Sequence, residues 1–455
     1  MFKFKFKLIL VMILLGFTAL FLHNAWFYSP LKGYDAGIHT IYTNIITFEH
    51  RIPTPKDTPE SYNPPTFYFL SGKLAKLFTP LFNNNFLEAL KGWQIMIALL
   101  LPLAGYLWYD LYRFLNPKNY SNGLFFLFWL LSVPVINLMM PMYTIEMPQL
   151  IIGSFIIWFF IKYFLKKPNL SMAIYLGIFC GVILSFRIMS VSLLISLGIM
   201  ICLLAFLKKI SFKKMLVINF VFTVITLLIG GQYYYFYRNQ GVFNSGENVV
   251  ENRKTPFFQR QPKSFYVDTF FRTSMRTPIR PYFPNRFIPI FYSTFWGDYW
   301  NYYRQRRYPL SPEEEIKYPI NKEKVSKERL NMLAWQNRIN IIPTIIIILG
   351  TLTIIVRSIK NFVRRKNLNY QQTSEGFLAI FFSLAFLLFF YTNIEFPNTY
   401  KGDTIKASYI LYAIPCLIYF AVKYLQSLKK YKFIYYSLLS IIIISILFNL
   451  NFAFY

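Results

Sequence analysis

The chain has 455 residues, of which 55% are hydrophobic and 20% aromatic, and its formal net charge is +29. A soluble domain needs a polar face on nearly every element, and this sequence has too few polar residues to supply one. Many of the positive charges flank apolar runs, as in cytoplasmic loops of membrane proteins, so the composition excludes a soluble fold and argues against nucleic acid as a partner.

Eleven apolar runs reach or approach the length of about 20 residues that an α-helix needs to cross a bilayer. The predicted spans are 8–27, 92–111, 123–140, 147–165, 171–187, 189–207, 215–236, 340–359, 376–392, 405–422 and 434–453. The predicted fold class is all-α, a polytopic membrane helix bundle with interfacial helices. We expect the first run to be an uncleaved span, because "FLHNAWFYSP" lacks a small-x-small cleavage pattern. The turn at "FRIMS" is the weakest boundary, so a count one higher or lower is the alternative.

Positive charge in short loops predicts how the bundle is oriented. With the N-terminus inside, every short inside loop is basic, whereas the outside turn around Glu146 has no Lys or Arg. We therefore predict an integral protein of a microbial plasma membrane with its N-terminus in, its C-terminus out and its active site on the extracytoplasmic face. The predicted units are the first span (1–27), a first outer loop (28–91), spans two to seven (92–236), a second outer loop (237–339) and spans eight to eleven (340–455).

The first outer loop opens with "KGYDAGIHTIYTN", which places Asp35 and His39 one helical turn apart. Further on, "NPPTFYFLSGKLAKLF" is predicted to be an interfacial helix that starts at two prolines. Its apolar residues recur at three- and four-residue spacing: Phe67, Leu70, Leu74, Leu77 and Phe78. Such a helix would hold Asp35 near the lipid headgroups. Asp35 is then either a catalytic acid or a cap residue at the end of the first span.

Glu146, in "MYTIEMPQL", is the only charged residue of its turn. It is either a helix-start acid favoured by the helix dipole or a second carboxylate facing Asp35 across an outer cavity.

The second outer loop contains the aromatic segment "RFIPIFYSTFWGDYWNYY". Seven arginines precede this segment or begin it: Arg238, Arg253, Arg260, Arg272, Arg276, Arg280 and Arg286. Arginine binds phosphate through a planar fork of donors, and tryptophan and tyrosine stack on sugars or lie at the interface. These residues either recognise a lipid phosphate that bears a sugar or simply contact headgroups.

Several kinds of site have no signature in the sequence. The three cysteines, Cys180, Cys202 and Cys416, fall inside apolar runs and indicate packing. There is no metal-ligand spacing, no phosphate-cradling loop and no nucleophile elbow. We expect no certain cofactor, although outer carboxylates could hold a divalent cation. Without a nucleotide site, an activated lipid is the natural donor.

Taken together, "GYDAGIH", "EHRIPTP", "YNPPTFYFL", "YTIEMP", "YYYFYRNQGVF", "FPNRFIPIFYSTFWGDYW" and "YKGDTIKASYILYAIP" resemble, in order, motifs of the GT-C superfamily of glycosyltransferases. The likeness is to its protein O-mannosyltransferase and aminoarabinose transferase branch. It implies a polyprenyl- or dolichyl-phosphate sugar donor, and an acid of the first outer loop acting as general base. Many members have two adjacent acids there, whereas this chain has Asp35 followed by Ala36.

The favoured function is transfer of a sugar from such a donor to a glycan, lipid or protein acceptor on the outer face. The candidate catalytic residues are Asp35, Glu146 and His39. The candidate substrate-binding residues are Arg238, Asn239, Arg276, Arg280, Trp296, Asp298 and Lys406. A flippase or transporter of lipid-linked saccharides is the alternative, and a non-enzymatic membrane assembly factor is a third.

Overall fold

The computed structural model describes residues 2–234, 254–267, 271–280, 283, 285–303, 326–364, 368–397 and 405–455. Every regular element in these ranges is a helix, so the predicted all-α class is confirmed for the described part of the chain.

The α-helices that the text refers to are numbered in chain order. They are α1 (Phe2–Phe27), α2 (Ala36–Asn44), α3 (Thr66–Phe78), α4 (Lys91–Leu115), α5 (Tyr120–Leu131), α6 (Glu146–Phe159), α7 (Leu170–Leu184), α8 (Val191–Phe206), α9 (Phe212–Thr226), α10 (Phe287–Trp296), α11 (Lys327–Ile339), α12 (Ile341–Val363), α13 (Tyr370–Glu395), α14 (Ile414–Ser427) and α15 (Lys432–Leu450).

Nine helical segments of the described residues are long and apolar enough to cross a membrane. Two further predicted spans correspond to shorter apolar helices, α5 and α7. One apolar helix, α10, lies inside the predicted second outer loop, where the sequence indicated only an aromatic segment.

The predicted span 123–140 is interrupted near its middle. Helix α5 ends at Leu131, Val133 is extended, and a short helix covers Pro134–Met139. A residue that precedes proline avoids the α conformation, whereas proline itself suits the first turn of a helix. The Val133–Pro134 pair therefore breaks the span.

Close helix packing fixes the middle of the bundle. Helix α12 lies against α14, and a Cβ atom added at Gly350 would come within 2.6 Å of the Phe420 carbonyl oxygen. Small residues at such positions let two helix backbones approach, which is a common source of stability between helices in membranes.

The loop residues assemble at two opposite ends of the bundle. At one end, the Tyr28 hydroxyl donates to the Tyr302 carbonyl and the Trp300 indole donates to the Ile405 carbonyl. We call this the Asp35 end. At the other, the Lys423 end, Lys423 Nζ lies 2.8 Å from Asn116 Oδ1 and Lys209 Nζ 2.8 Å from Thr373 Oγ1. The first group was predicted to lie outside and the second inside, so contacts in the structure follow the predicted division.

Helix α3 begins at Thr66, directly after the two prolines, as predicted. Its buried side differs from the predicted apolar stripe. Phe67 is buried, but Leu70 and Leu77 are exposed, and small residues pack inward instead. At Gly72 an added Cβ would clash with the Thr47 hydroxyl, so α3 lies tightly on the turn that follows α2. Leu70 and Leu77 are left exposed on the outer side of α3.

Candidate active site

Asp35 begins α2 in an unusual backbone conformation. Its φ is 56° and its ψ 17°, the left-handed region that few residues other than glycine adopt. Asp35 occupies the N-cap position, yet its side chain makes no capping hydrogen bond. Asp35 therefore lies at the start of a helix, but its side chain does not cap that helix. Left-handed residues are often found at functional sites, where the surrounding structure holds them in place.

The carboxylate of Asp35 is paired with Lys406 instead. The distance from Lys406 Nζ to Asp35 Oδ2 is 2.8 Å, and the Lys406 side chain is 8% exposed whereas that of Asp35 is 38% exposed. Within the described ranges, no group is hydrogen-bonded to Asp35 Oδ1. One carboxylate oxygen is thus held by a buried ammonium group, and the other has no hydrogen-bond partner in that part of the chain.

The charges around Asp35 favour its ionised form. Burial alone would raise the pKa of this carboxyl, but the attraction of Lys406, joined by His39 and Arg187, outweighs burial and holds the pKa below its usual value. Burial disfavours the charged Lys406 ammonium, and the same pairing with Asp35 more than compensates, so the pKa of Lys406 is raised. Both groups are charged at neutral pH.

Aromatic rings surround the Lys406 ammonium. Nζ lies 4.8 Å from the ring centroid of Tyr34, 5.8 Å from that of Trp300 and 5.8 Å from that of Tyr409. Such contacts stabilise a partly desolvated cation. Arg280 lies over Trp300 as well, at 5.0 Å from its centroid, which brings a predicted phosphate-binding arginine close to the Asp35–Lys406 pair.

Glu146 is paired with a residue that the sequence analysis did not select. It is the first residue of α6, as the helix-start interpretation requires, and its carboxylate accepts hydrogen bonds from Arg187 and from the Thr144 hydroxyl. The Arg187 guanidinium also lies 4.6 Å from the ring centroid of Tyr409. Tyr409 therefore contacts both buried cations, and the Glu146–Arg187 pair adjoins the Asp35–Lys406 pair.

His39 connects the site to a third carboxyl group. Its Nδ1 is 2.9 Å from the Tyr68 hydroxyl, and Asn63 donates both to that hydroxyl and to Glu60. Burial raises the pKa of the Glu60 carboxyl against the attraction of His39, and the charge of Asp35 adds to the rise. The site thus combines two ion pairs with one carboxyl that holds its proton more strongly than usual.

The remaining predicted residues are distributed differently. Arg276 is exposed on the surface, and Trp296 is buried, with its indole donating to the Thr344 hydroxyl. Asp298 accepts hydrogen bonds from the backbone amides of Tyr302 and Tyr303 and pairs with Arg329. Trp296 and Asp298 thus make packing and loop contacts. Arg238 and Asn239 lie outside the described residues.

Four residues of the site escaped the sequence analysis: Glu60, Gln149, Arg187 and Tyr409. Arg187 carried a usable signal, because it is a lone arginine in a short turn predicted to lie outside, where basic residues are rare. Gln149 follows Glu146 by three residues on α6, and neither polar atom of its buried side chain has a hydrogen-bond partner among the described residues. Nothing in the sequence distinguished Glu60 from other loop acids.

A search for metal ligands covers only the described residues. In these, no three His, Cys, Asp or Glu side chains are grouped so that they could hold an ion. A divalent cation at the outer carboxylates stays a prediction.

The solved structures that are similar to this chain include the following two. An oligosaccharyltransferase from Archaeoglobus fulgidus, in its apo form, matches over 99% of this chain and 54% of its own, with 14% identity and a TM-score of 0.46. ArnT from Cupriavidus metallidurans, bound to undecaprenyl phosphate, matches over 93% of this chain and 76% of its own, with 13% identity and a TM-score of 0.36. The chain spans about half the length of that oligosaccharyltransferase.

No protein-family model matches the sequence, and no curated protein matches it. At this degree of similarity, we infer a function from the residues of the site.

Proposed function

We propose that this protein is a membrane glycosyltransferase that moves a sugar from a polyprenyl-phosphate donor to an acceptor at the extracytoplasmic face. The observation that carries the proposal is the Asp35–Lys406 pair, in which a half-exposed carboxylate lies beside a buried cation. A group that accepts a proton and a group that neutralises a phosphate are the two that such a transfer needs.

The reaction is a direct displacement at the anomeric carbon. The acceptor hydroxyl or amine approaches Asp35 Oδ1 and gives up its proton as its oxygen or nitrogen bonds to the sugar. The bond between the anomeric carbon and the phosphate oxygen breaks, and the electron pair leaves with the lipid phosphate. A single displacement inverts the anomeric centre.

Negative charge grows on the leaving phosphate, and three cations of this neighbourhood can stabilise it. Lys406 and Arg187 both contact the ring of Tyr409, and Lys406 and Arg280 both contact the ring of Trp300. Charges that are fixed before the reaction stabilise the transition state without a cost of reorganisation.

Donor binding also strengthens the base. A phosphate that reaches Lys406 competes with Asp35 for the same ammonium, and burial then raises the pKa of Asp35, because the main opposing charge is shared. Asp35 is thereby ionised in the free protein and becomes a better proton acceptor once the donor is bound.

The surroundings suit a lipid donor and a sugar. Helix α3 exposes Leu70 and Leu77 next to the site, a surface along which a polyprenyl chain can lie. The unpaired amide of Gln149 can donate to and accept from sugar hydroxyls.

Transport of a lipid-linked saccharide, the alternative, requires a polar path through the bundle. Between the two ends, α14 presents a buried and mainly apolar stretch that includes Leu417, Ile418, Phe420 and Val422. A buried apolar stretch of this kind agrees better with transfer than with transport. Cysteine probes along α14 separate the two, since transport requires water access from both sides.

The test of the proposed function is a panel assay. Purified protein in lipid nanodiscs is incubated with polyprenyl phosphates that bear different sugars, together with cell-envelope acceptors. We expect consumption of one donor and release of free polyprenyl phosphate. Movement of an intact donor across a vesicle membrane, without release of polyprenyl phosphate, would contradict transfer.

A further inference from the structure

A polar cavity lies at the Lys423 end of the bundle, away from the Asp35 site. Its volume is about 330 Å³, and it opens between α12, α14 and the residues that precede α5. The polar residues that line it are Asn119, Thr353, Arg357, Lys423, Gln426, Ser427 and Lys429. Lys406 precedes a short kinked 3-10 helix, Ala407–Ala413, that leads into α14, and Lys423 lies near the far end of α14.

The cavity is strongly positive. Three of its lining residues are cations, Arg357, Lys423 and Lys429, and none of the residues that line it is acidic. Arg357 and Lys429 are exposed, and neither has an ion-pair partner within the described ranges. These two cations are available to a ligand.

The third cation, Lys423, is held in place by side chains outside the cavity. Lys423 Nζ lies 2.8 Å from Asn116 Oδ1 and 3.4 Å from Glu375 Oε1, and Glu375 is itself buried and accepts a hydrogen bond from Gln371. This network holds one wall of the cavity in place and balances one of its three charges. A net positive charge faces outward.

The cavity lies near the ends of two helical segments that are long and apolar enough to cross a membrane, Lys327–Val363 and Ala407–Lys430. Leu352, Val356 and Ile359 are exposed on α12 on a side that does not line the cavity, and exposed apolar residues of a membrane helix contact lipid chains. Lipid headgroups are therefore the phosphates that lie nearest to the three cations of the cavity.

We propose that this cavity binds the phosphate headgroup of an anionic membrane lipid in the leaflet opposite the Asp35 site. Basic pockets between membrane helices recognise phosphate headgroups through point charges and arginine forks. The proposal does not depend on the glycosyltransferase function, because the cavity shares no lining residue with the Asp35 site.

The test measures lipid binding to the purified protein in a neutral detergent by native mass spectrometry. The probes are phosphatidylglycerol, phosphatidylcholine and inorganic phosphate. The double variant Arg357→Gln/Lys429→Gln removes the two available cations. The matched control Lys360→Gln/Lys430→Gln removes two exposed cations from the same two segments, and neither of these cations lines the cavity.

We expect the cavity variant to bind phosphatidylglycerol at least about tenfold more weakly, since each headgroup cation contributes about fivefold. The control variant should change by less than about twofold, and phosphatidylcholine should bind weakly to all. Equal losses in both variants, or equal binding of the two lipids, would overturn the proposal. Displacement of the lipid by inorganic phosphate at equal concentration would also overturn it and indicate a free-phosphate site. Unchanged melting temperatures show that the variants are folded.

Discussion

Lys406 Nζ lies 2.8 Å from Asp35 Oδ2, although 371 residues separate the two in the chain. The contact joins the loop after the first span to the turn before the penultimate membrane helix. It accounts for the lowered pKa of Asp35, and it makes the proposed base and the proposed phosphate-binding cation parts of one unit.

The first prediction concerns pH. The pKa of Asp35 is lowered, so in the free protein the base is lost only as pH falls through that low value. Lys406→Met removes the main opposing charge and leaves burial, so the acid limb of the kcat/KM profile should move to higher pH. The measurement is donor turnover from pH 4 to 8. Lys73→Met, on the exposed side of α3, should leave the profile in place, and a profile unmoved by Lys406→Met would contradict the pairing.

The second prediction separates structure from function at the Glu146–Arg187 pair. Removing either partner leaves a buried charge, which should cost about 3–5 kcal/mol of stability. The double variant Glu146→Met/Arg187→Met should recover most of the melting temperature but not the activity, because the phosphate loses a cation. Thermal unfolding and donor turnover are measured on all three variants. If the double variant recovered both the melting temperature and the activity, the pair would have only a structural role.

Glu60 provides a third prediction, on stability. Its pKa in the folded protein is raised by burial, so the folded state binds more protons than the unfolded state as pH rises from the ordinary glutamate value to the raised one. Stability should therefore fall with pH in that window, and Glu60→Gln should remove the fall. Melting temperatures of the two proteins are compared from pH 4 to 8. Parallel curves would contradict the raised pKa.

Two tryptophans form a matched pair for the fourth prediction. Trp300 contacts Lys406 and Arg280, whereas Trp296 donates to Thr344 inside the bundle. Trp300→Phe should lower kcat/KM about tenfold through weaker support of the two cations. Trp296→Phe should lower the melting temperature through the lost hydrogen bond, with activity per folded molecule within about twofold. The reverse pattern would favour the sequence-based choice of Trp296 as a substrate residue.

Much of the fold was predictable because bilayer thickness and apolar run length are linked directly. The charge of short loops also divided the residues into two groups, and the structure brings the members of each group together. The break at Val133–Pro134 was missed because the span was predicted from hydropathy alone, which does not register that the residue before a proline avoids the α conformation. Helix α10 was missed because its aromatic residues resembled an interfacial loop.

The site was predictable only in part. Asp35, His39, Glu146, Lys406 and Arg280 were selected from the sequence, and the structure brings them into one neighbourhood. Their pairing was not predictable, since contacts such as Asp35–Lys406 depend on how distant helices pack. Arg187 and Glu60 are single charged residues without a local pattern, and only their burial beside other charges marks them.

The most direct test of the account is Asp35→Asn, which preserves shape and removes the base. Donor consumption is compared with that of Asp57→Asn, which alters an acid of the same loop that pairs with Arg51 away from the site. With both variants inserted and folded, Asp35→Asn should lower turnover about 10²- to 10⁴-fold and Asp57→Asn less than about twofold. Undiminished sugar transfer by Asp35→Asn would remove Asp35 from the mechanism and contradict the central claim.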